Sequence, residues 1–386
     1  MLAPPSHLAS APFLPFPGSA LSHSSACIHT VKECYLLLLL GEQERVAEAA
    51  LMDVSVIVCT WNNPKRLATT LAAIRQCRIP QDMRWELVLT NNGSTDDTRA
   101  VAQDFAGELP LVYLEEPRPG LSLAKNAALR TATGRLLVFT DDDVTPCGDW
   151  LATYWTAYRD RPSGYYFGGP IGSEYEHGRP AEEILHVAGH AITGLDWGST
   201  ARALTESERL YPANWACPAA ALRAVGEFDP RLGLCSSLPK RRVGETFDLM
   251  DRLTAIGMSG WYLPEARVLH FVPASKCTVE FLGQNAEAIG SYSVRAARPH
   301  RFLIRRPELR QWCAMQGPAL AGVPWPLYVK TLLLAGRWLW LRALGRRAYS
   351  EYVALRFCLG RIRGYRELRR TTVAHAAPPE AAGRRP

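Results

Sequence analysis

The sequence predicts an α/β fold whose mainly parallel, twisted sheet is flanked by helices and followed by a basic helical extension. Three observations carry this. Short, continuous apolar runs recur at Val54–Val58, Leu87–Leu89 and Leu136–Phe139, as in strands covered on both faces; half-exposed strands would alternate instead. Stretches of helical period lie between them, so strand and helix alternate along the chain. The 386 residues, 47% hydrophobic and 21% charged, suit one large or two ordinary domains and exclude a fibrous or wholly disordered chain.

In chain order, residues 1–52 read as a disordered leader or a mis-called start. Met1 to Ser25 is rich in Pro, Ser, Ala and His, and the apolar Cys34–Leu40 is far short of the ~20 residues a membrane span needs. Lys32 is the one Lys or Arg before the leucines, the wrong order for a secretory signal. Met52 is expected to open the functional chain, just ahead of the strand Val54–Val58. Pro64 suits a first helical turn, with Leu67, Leu71 and Ile74 on one face. Ser94 or Thr95 is expected to cap a second helix, with Asp96 and Asp97 near its positive end. Lys125 to Ala132 gives a third.

The carboxyl ends of strands in open α/β sheets form a ligand crevice. Here those ends carry Thr60-Trp61-Asn62, Asn91-Asn92-Gly93-Ser94 and Asp141-Asp142-Asp143. An aromatic for stacking, amides for a base edge and clustered carboxylates describe a nucleotide held through a metal. Three adjacent aspartates repel one another without a cation. Hard oxygen ligands on a turn suit Mg²⁺ or Mn²⁺. A solvated acidic turn capping the helix near Trp150 is the plain alternative, and the position directly after a buried strand favours the metal.

Taken together, Val54–Asn62, Asn91–Thr98, Gly120–Asn126, Asp141–Asp143, Gly244–Leu249 with Arg252, Leu253 and Gly257, and Pro264–His270 resemble family 2 glycosyltransferases of the A-type nucleotide-sugar fold. The resemblance spans roughly residues 53–290 and rests on the order of the motifs, each weak alone. It implies an inverting transferase that uses a nucleotide-diphosphate sugar and a divalent metal. By the same resemblance Cys59, Thr60 and Trp61 line the nucleotide pocket, Asn92 meets the base edge, Lys125 and Asn126 contact the sugar nucleotide, and Asp142 meets the ribose. Asp143 is implied as the principal metal ligand, with Asp141, and His270 as a further metal or diphosphate contact. Two positions depart from the pattern. Asn91 stands where the family usually has Asp, and Thr246 where its catalytic Asp is usual. Glu245 is then the nearest candidate base and Asp248 the alternative; on a helix the two share a face, and Arg252 follows Asp248 by four residues.

His186 and His190 have the spacing of one helical turn, but with no Glu after the first and no third ligand nearby they read as a structural or surface pair. The insertion from Gly168 to Trp215 is expected on the acceptor side. Its Trp197, Tyr211 and Trp215 suit either sugar stacking or core packing. The ten cysteines, without any Cys-x-x-Cys pair, read as reduced and structural.

Charge is unevenly placed. Residues 295–386 hold nineteen Lys/Arg and four Asp/Glu, net +15, which leaves −8 for the rest. Within residues 291–373, the uncharged stretch 311–329 is interrupted by Pro318, Pro324 and Pro326, against a spanning helix. From Tyr328 the chain is Leu- and Trp-rich with Lys and Arg set in, which fits either a helix lying on an anionic membrane surface or one packed on the catalytic domain. Residues 374–386 read as disordered. The reading that joins these parts is a transferase peripheral to the cytoplasmic face of the cell membrane, acting on a glycan or lipid-linked acceptor and not on nucleic acid. Its rivals are a nucleotidyltransferase on a similar fold and a catalytically dead membrane- or polyanion-binding homologue.

Overall fold

A computed structural model describes residues 52–161, 163–206, 208–296 and 317–376. Most of the leader, the segment 297–316 and the last ten residues lie outside the described residues, and so do the expectations that fall on them.

The chain opens with β1 (Val54–Thr60), α1 (Pro64–Arg75), β2 (Trp85–Asn91), α2 (Thr98–Phe105), β3 (Leu111–Glu115), α3 (Leu121–Thr131) and β4 (Leu136–Asp141). It continues through β5 (Val144–Pro146), α4 (Trp150–Asp160), β6 (Tyr165–Gly168), β7 (Ile171–Tyr175), α5 (Glu182–Val187), α6 (His190–Thr193), β8 (Arg202–Ala203), β9 (Asn214–Pro218) and α7 (Ala219–Val225). Then come α8 (Glu245–Ala255), β10 (Ser259–Tyr262), β11 (Val268–Val272), α9 (Val279–Arg295), a small hairpin β12 (Ala319–Leu320) and β13 (Val323–Pro324), α10 (Trp325–Ala343) and α11 (Tyr349–Ala376). The fold is α/β with a helical C-terminal extension.

Eight strands form the main sheet in the order β3-β2-β1-β4-β9-β6-β10-β8. The half β3-β2-β1-β4 is parallel throughout, and β1, β2 and β4 lie buried between helices, as continuous hydrophobic runs require, while β3 at the edge is partly exposed. Beyond β4 the sheet becomes mixed: β9 runs antiparallel to both β4 and β6, and β10 is parallel to β6. Phe139 on β4 and Trp215 on β9 are register partners, stacked with centroids 4.5 Å apart. Trp215 is therefore core, not an acceptor platform.

The chain moves outward from β1 to β3, then returns to lay β4 on the other side of β1. That reversal is a topological switch point, where the loops after neighbouring strands part and leave a crevice. A second sheet, β5-β11-β7, covers its rim.

Several local expectations shift. The second helix begins at Thr98, not after Ser94 or Thr95, because the Asp96 carboxylate accepts both the amide (3.1 Å) and the hydroxyl of Thr98. The third starts at Leu121, four residues before Lys125. His186 and His190 lie on different short helices, α5 and α6, so the one-turn spacing is not realised. Residues 374–376, expected as tail, continue α11.

Candidate functional site

The register of β1 against β4 builds the floor of the crevice. Cys59 pairs with Asp141, so the loops Thr60–Asn63 and Asp141–Asp143 leave the sheet side by side. Thr60 Oγ1 donates to Asp142 Oδ2 at 2.6 Å, and Asn63 Nδ2 donates to Oδ1 at 3.0 Å. Burial and the neighbouring charge of Asp143 push Asp142 up to about 7 against those two hydrogen bonds. Trp61 projects from the same loop with half its surface exposed, and its indole face is open for stacking. Cys59 is a neutral thiol, pushed up to about 12 chiefly by burial.

Asp143 precedes β5, which runs antiparallel to β11 with Val144 opposite His270. This register brings His270 Nε2 to 3.2 Å from Asp143 Oδ1. Lys276 Nζ lies 3.4 Å from Asp143 Oδ2. Burial raises Asp143, but His270 and Lys276 outweigh it and hold the carboxyl at about 2. Asp141, by contrast, is raised by burial and by Asp143. One ligand atom each from Asp141, Asp143 and His270 falls within 4.8 Å of the others. Two carboxylates and an imidazole, with one carboxyl disfavoured by its neighbour's charge, form a donor set that fits a divalent cation such as Mn²⁺ or Mg²⁺. His270 sits mid-strand rather than at a strand end, and the small sheet that carries it has no signature in the sequence.

The second wall is the start of α8. Gly244 has φ +105°, and a Cβ there would lie 2.4 Å from the Tyr292 ring, so only glycine fits. It delivers Glu245 as the first helical residue, buried, with Oε1 3.0 Å from Lys125 Nζ on α3. Thr246 is buried beside it, and its hydroxyl accepts from the same ammonium at 3.1 Å. Burial works against the Lys125 charge, and Glu245 and Asp141 together keep it raised. Burial likewise works against the Glu245 carboxylate, and Lys125 holds it below the ordinary range. Asp248 faces elsewhere. It pairs with Arg252 Nε at 3.0 Å, and that guanidinium donates to the carbonyls of Val225, Gly226 and Glu227 at the end of α7.

Two candidates prove to be braces. Asn92 donates to the carbonyls of Glu116 (2.9 Å) and Arg118 (2.8 Å) and accepts from Gly120 N (2.8 Å), so both amide hydrogens lock the loop ahead of α3. Asn126 exchanges two hydrogen bonds with the backbone of Phe228, at 2.9 and 2.8 Å. Asn92 therefore has no amide hydrogen left for a ligand. Asn91 donates to the Tyr113 hydroxyl at 2.9 Å and accepts from Ser94 N at 3.0 Å, which gives the amide at that position a structural duty. Sequence reasoning missed Asn63, Lys276 and Arg241. Arg241, next to the α8 motif, lies 5.0 Å over the Phe281 ring and feels the Glu245 charge. No spacing marks any of the three, although Asn63 abuts the Thr60–Asn62 loop.

The insertion closes a cavity of about 890 Å³ lined by Asp196, Trp197, His190 and Arg267 among others. None of Asp141, Asp143 and His270 lines it. His190 hydrogen-bonds Gly194 O through Nδ1 at 2.7 Å, and Tyr211 packs edge-on against Phe247.

Residues 55–206, which carry β1 to β4 and the aspartate turn, match the family model for glycosyl transferase family 2. The likeness to glycosyltransferase family 2 lies in that segment. Among curated relatives, the chain is 32% identical over 102 residues to the succinoglycan biosynthesis protein ExoM of Rhizobium meliloti (strain 1021), covering 26% of this chain and 33% of that one. It is 28% identical over 225 residues to a pre-mycofactocin glycosyltransferase of Mycobacterium tuberculosis, covering 56% and 42%. The chain spans about a third of the length of the first curated relatives it matches. Among solved structures, the mannosyltransferase PcManGT of Pyrobaculum calidifontis, in complex with GDP-Man and Mn²⁺, superposes with a TM-score of 0.49 at 19% identity over 88% of this chain and 96% of that one.

Proposed function

We propose that the chain transfers a sugar from a nucleotide-diphosphate donor to a hydroxyl of a glycan or lipid-linked acceptor, with inversion, at the crevice between β1 and β4. The observation that carries this is the convergence of Asp141, Asp143 and His270 beside the Thr60–Asn63 loop, the aspartates inside the segment that matches the family and His270 well beyond it. Trp61 stacks on the base, and Asp142, held by Thr60 and Asn63, presents its carboxyl to the ribose. Asp141, Asp143 and His270 hold Mg²⁺ or Mn²⁺, which when bound offsets negative charge on the diphosphate. Lys125 adds a fixed positive charge on the same side.

Between the two carboxylates of the α8 motif, the geometry supports Glu245 as base. Glu245 shares Lys125 with Asp141, whereas Asp248 is committed to Arg252 and the end of α7. Glu245 Oε1 holds Lys125, and Oε2 takes the acceptor proton as the acceptor oxygen attacks the anomeric carbon from the face opposite the diphosphate. One displacement inverts that carbon and needs no covalent intermediate. Thr246, in place of the usual Asp, supports a second reading, a homologue that binds donor without turnover.

Asp143→Ala removes one of few hard ligands. It is expected to abolish the Mn²⁺-dependent part of donor binding, measured as the thermal shift given by sugar nucleotides with and without the metal. An unchanged metal-dependent shift would refute the assignment.

A further inference from the structure

We propose that the outward face of α10 is a docking surface for an anionic phospholipid bilayer. The extension as a whole does not have that character. α11 turns three of its arginines inward, while Arg366, Arg369 and Arg370 near its end stay exposed: Arg356 and Arg363 both reach Glu287 on α9 at 2.5 Å, and Arg361 is fully buried against Ser293 Oγ at 3.0 Å. A shared apolar cluster joins Leu282, Ala286 and Ile289 of α9 to Val353, Phe357 and Cys358 of α11, with Leu327 and Leu334 of α10. That buries one face of α10.

Its other face is apolar too. Trp325, Leu332, Leu333, Leu339, Trp340 and Leu344 are each more than half exposed, Leu332 at 72%. Their spacing lays the first five along one side of a 19-residue helix, roughly 28 Å long, with Leu344 capping its end. Helices apolar on all sides are normally covered, and among the described residues nothing covers this stripe. Charge decides the occupant. Residues 325–347 contain five Lys/Arg and no Asp or Glu, and Arg342 and Arg346 are exposed. A tryptophan near each end and cations beside the stripe match the headgroup boundary of an anionic bilayer. No described helix is long and apolar enough to cross a membrane, so α10 lies along the surface.

This deepens the lipid-linked acceptor reading and rests on it for its biological sense, but its test requires no turnover. The full chain is floated with vesicles of equimolar phosphatidylglycerol and phosphatidylcholine, and with phosphatidylcholine alone. Binding to the anionic vesicles only, falling steeply as salt is raised, is expected. Two variants, Leu332→Ser with Leu333→Ser and Arg342→Glu with Arg346→Glu, should each weaken it more than about tenfold, while the metal-dependent thermal shift with sugar nucleotide stays as in wild type. Absence of binding at low salt, equal binding to both vesicles, or undiminished binding of the variants would overturn the proposal. So would a dimer that the leucine variant dissolves in a chain that ignores vesicles, since a second copy would then be the cover.

Discussion

Lys125 and Glu245 meet at 3.0 Å with both side chains out of water, and that pair decides how the α8 motif can act. A carboxylate beside a buried ammonium stays ionised, as a base must, and its second oxygen is the one that can accept a proton. Glu245→Gln keeps an acceptor for Lys125 but removes the basicity. Turnover should fall by ~10²–10⁴ with donor affinity near wild type. Asp248→Asn should leave turnover near wild type and lower the melting temperature, because it loosens Arg252 from the end of α7. If the two variants exchange these phenotypes in a single-turnover assay with parallel thermal melts, Asp248 is the base. At this scale the residue types were legible in the sequence while their surroundings were not. The sequence offered Asn92 and Asn126 as ligand amides. Their partners are backbone groups up to 102 residues away, and no local pattern records such a partner.

Elements follow the same logic at longer range. β1, β2 and β4 were legible because strands buried on both faces are continuous apolar runs, and α1 because its leucines recur at helical spacing. The sheet β5-β11-β7 was not legible: three residues of β5 carry no period, and their pairing to β11 lies more than 120 residues on. The extension could be read as amphipathic, yet that pattern cannot tell a protein-covered face from a lipid-covered one. Glycines settle the case for α11. A Cβ at Gly360 would sit 2.0 Å from the Glu287 carbonyl oxygen of α9, and one at Gly290 would sit 2.2 Å from that of Phe357. The two helices therefore meet backbone to backbone. Gly360→Leu must push them apart, and a loss of roughly 1–3 kcal/mol, or more if the backbone cannot adjust, is expected in urea melts. Unchanged stability would mean that α11 does not dock this way in solution.

For the whole molecule, the parallel half-sheet with its switch point supplies the side proposed for the nucleotide, the mixed half supplies α8 and the insertion, and the C-terminal helices brace α9 from behind. The family match ends at residue 206, so His270 and Glu245 enter the site through the fold rather than through the matched segment. Together these parts are proposed to move a sugar. The most direct measurement is product analysis: the full chain is incubated with Mn²⁺, a panel of sugar nucleotides and hydroxyl acceptors, and the phosphate species released are resolved by chromatography. Release of nucleoside diphosphate that depends on acceptor, with the transferred sugar inverted at its anomeric carbon, is the predicted result. Pyrophosphate release, or donor binding with no release against any acceptor, would contradict it.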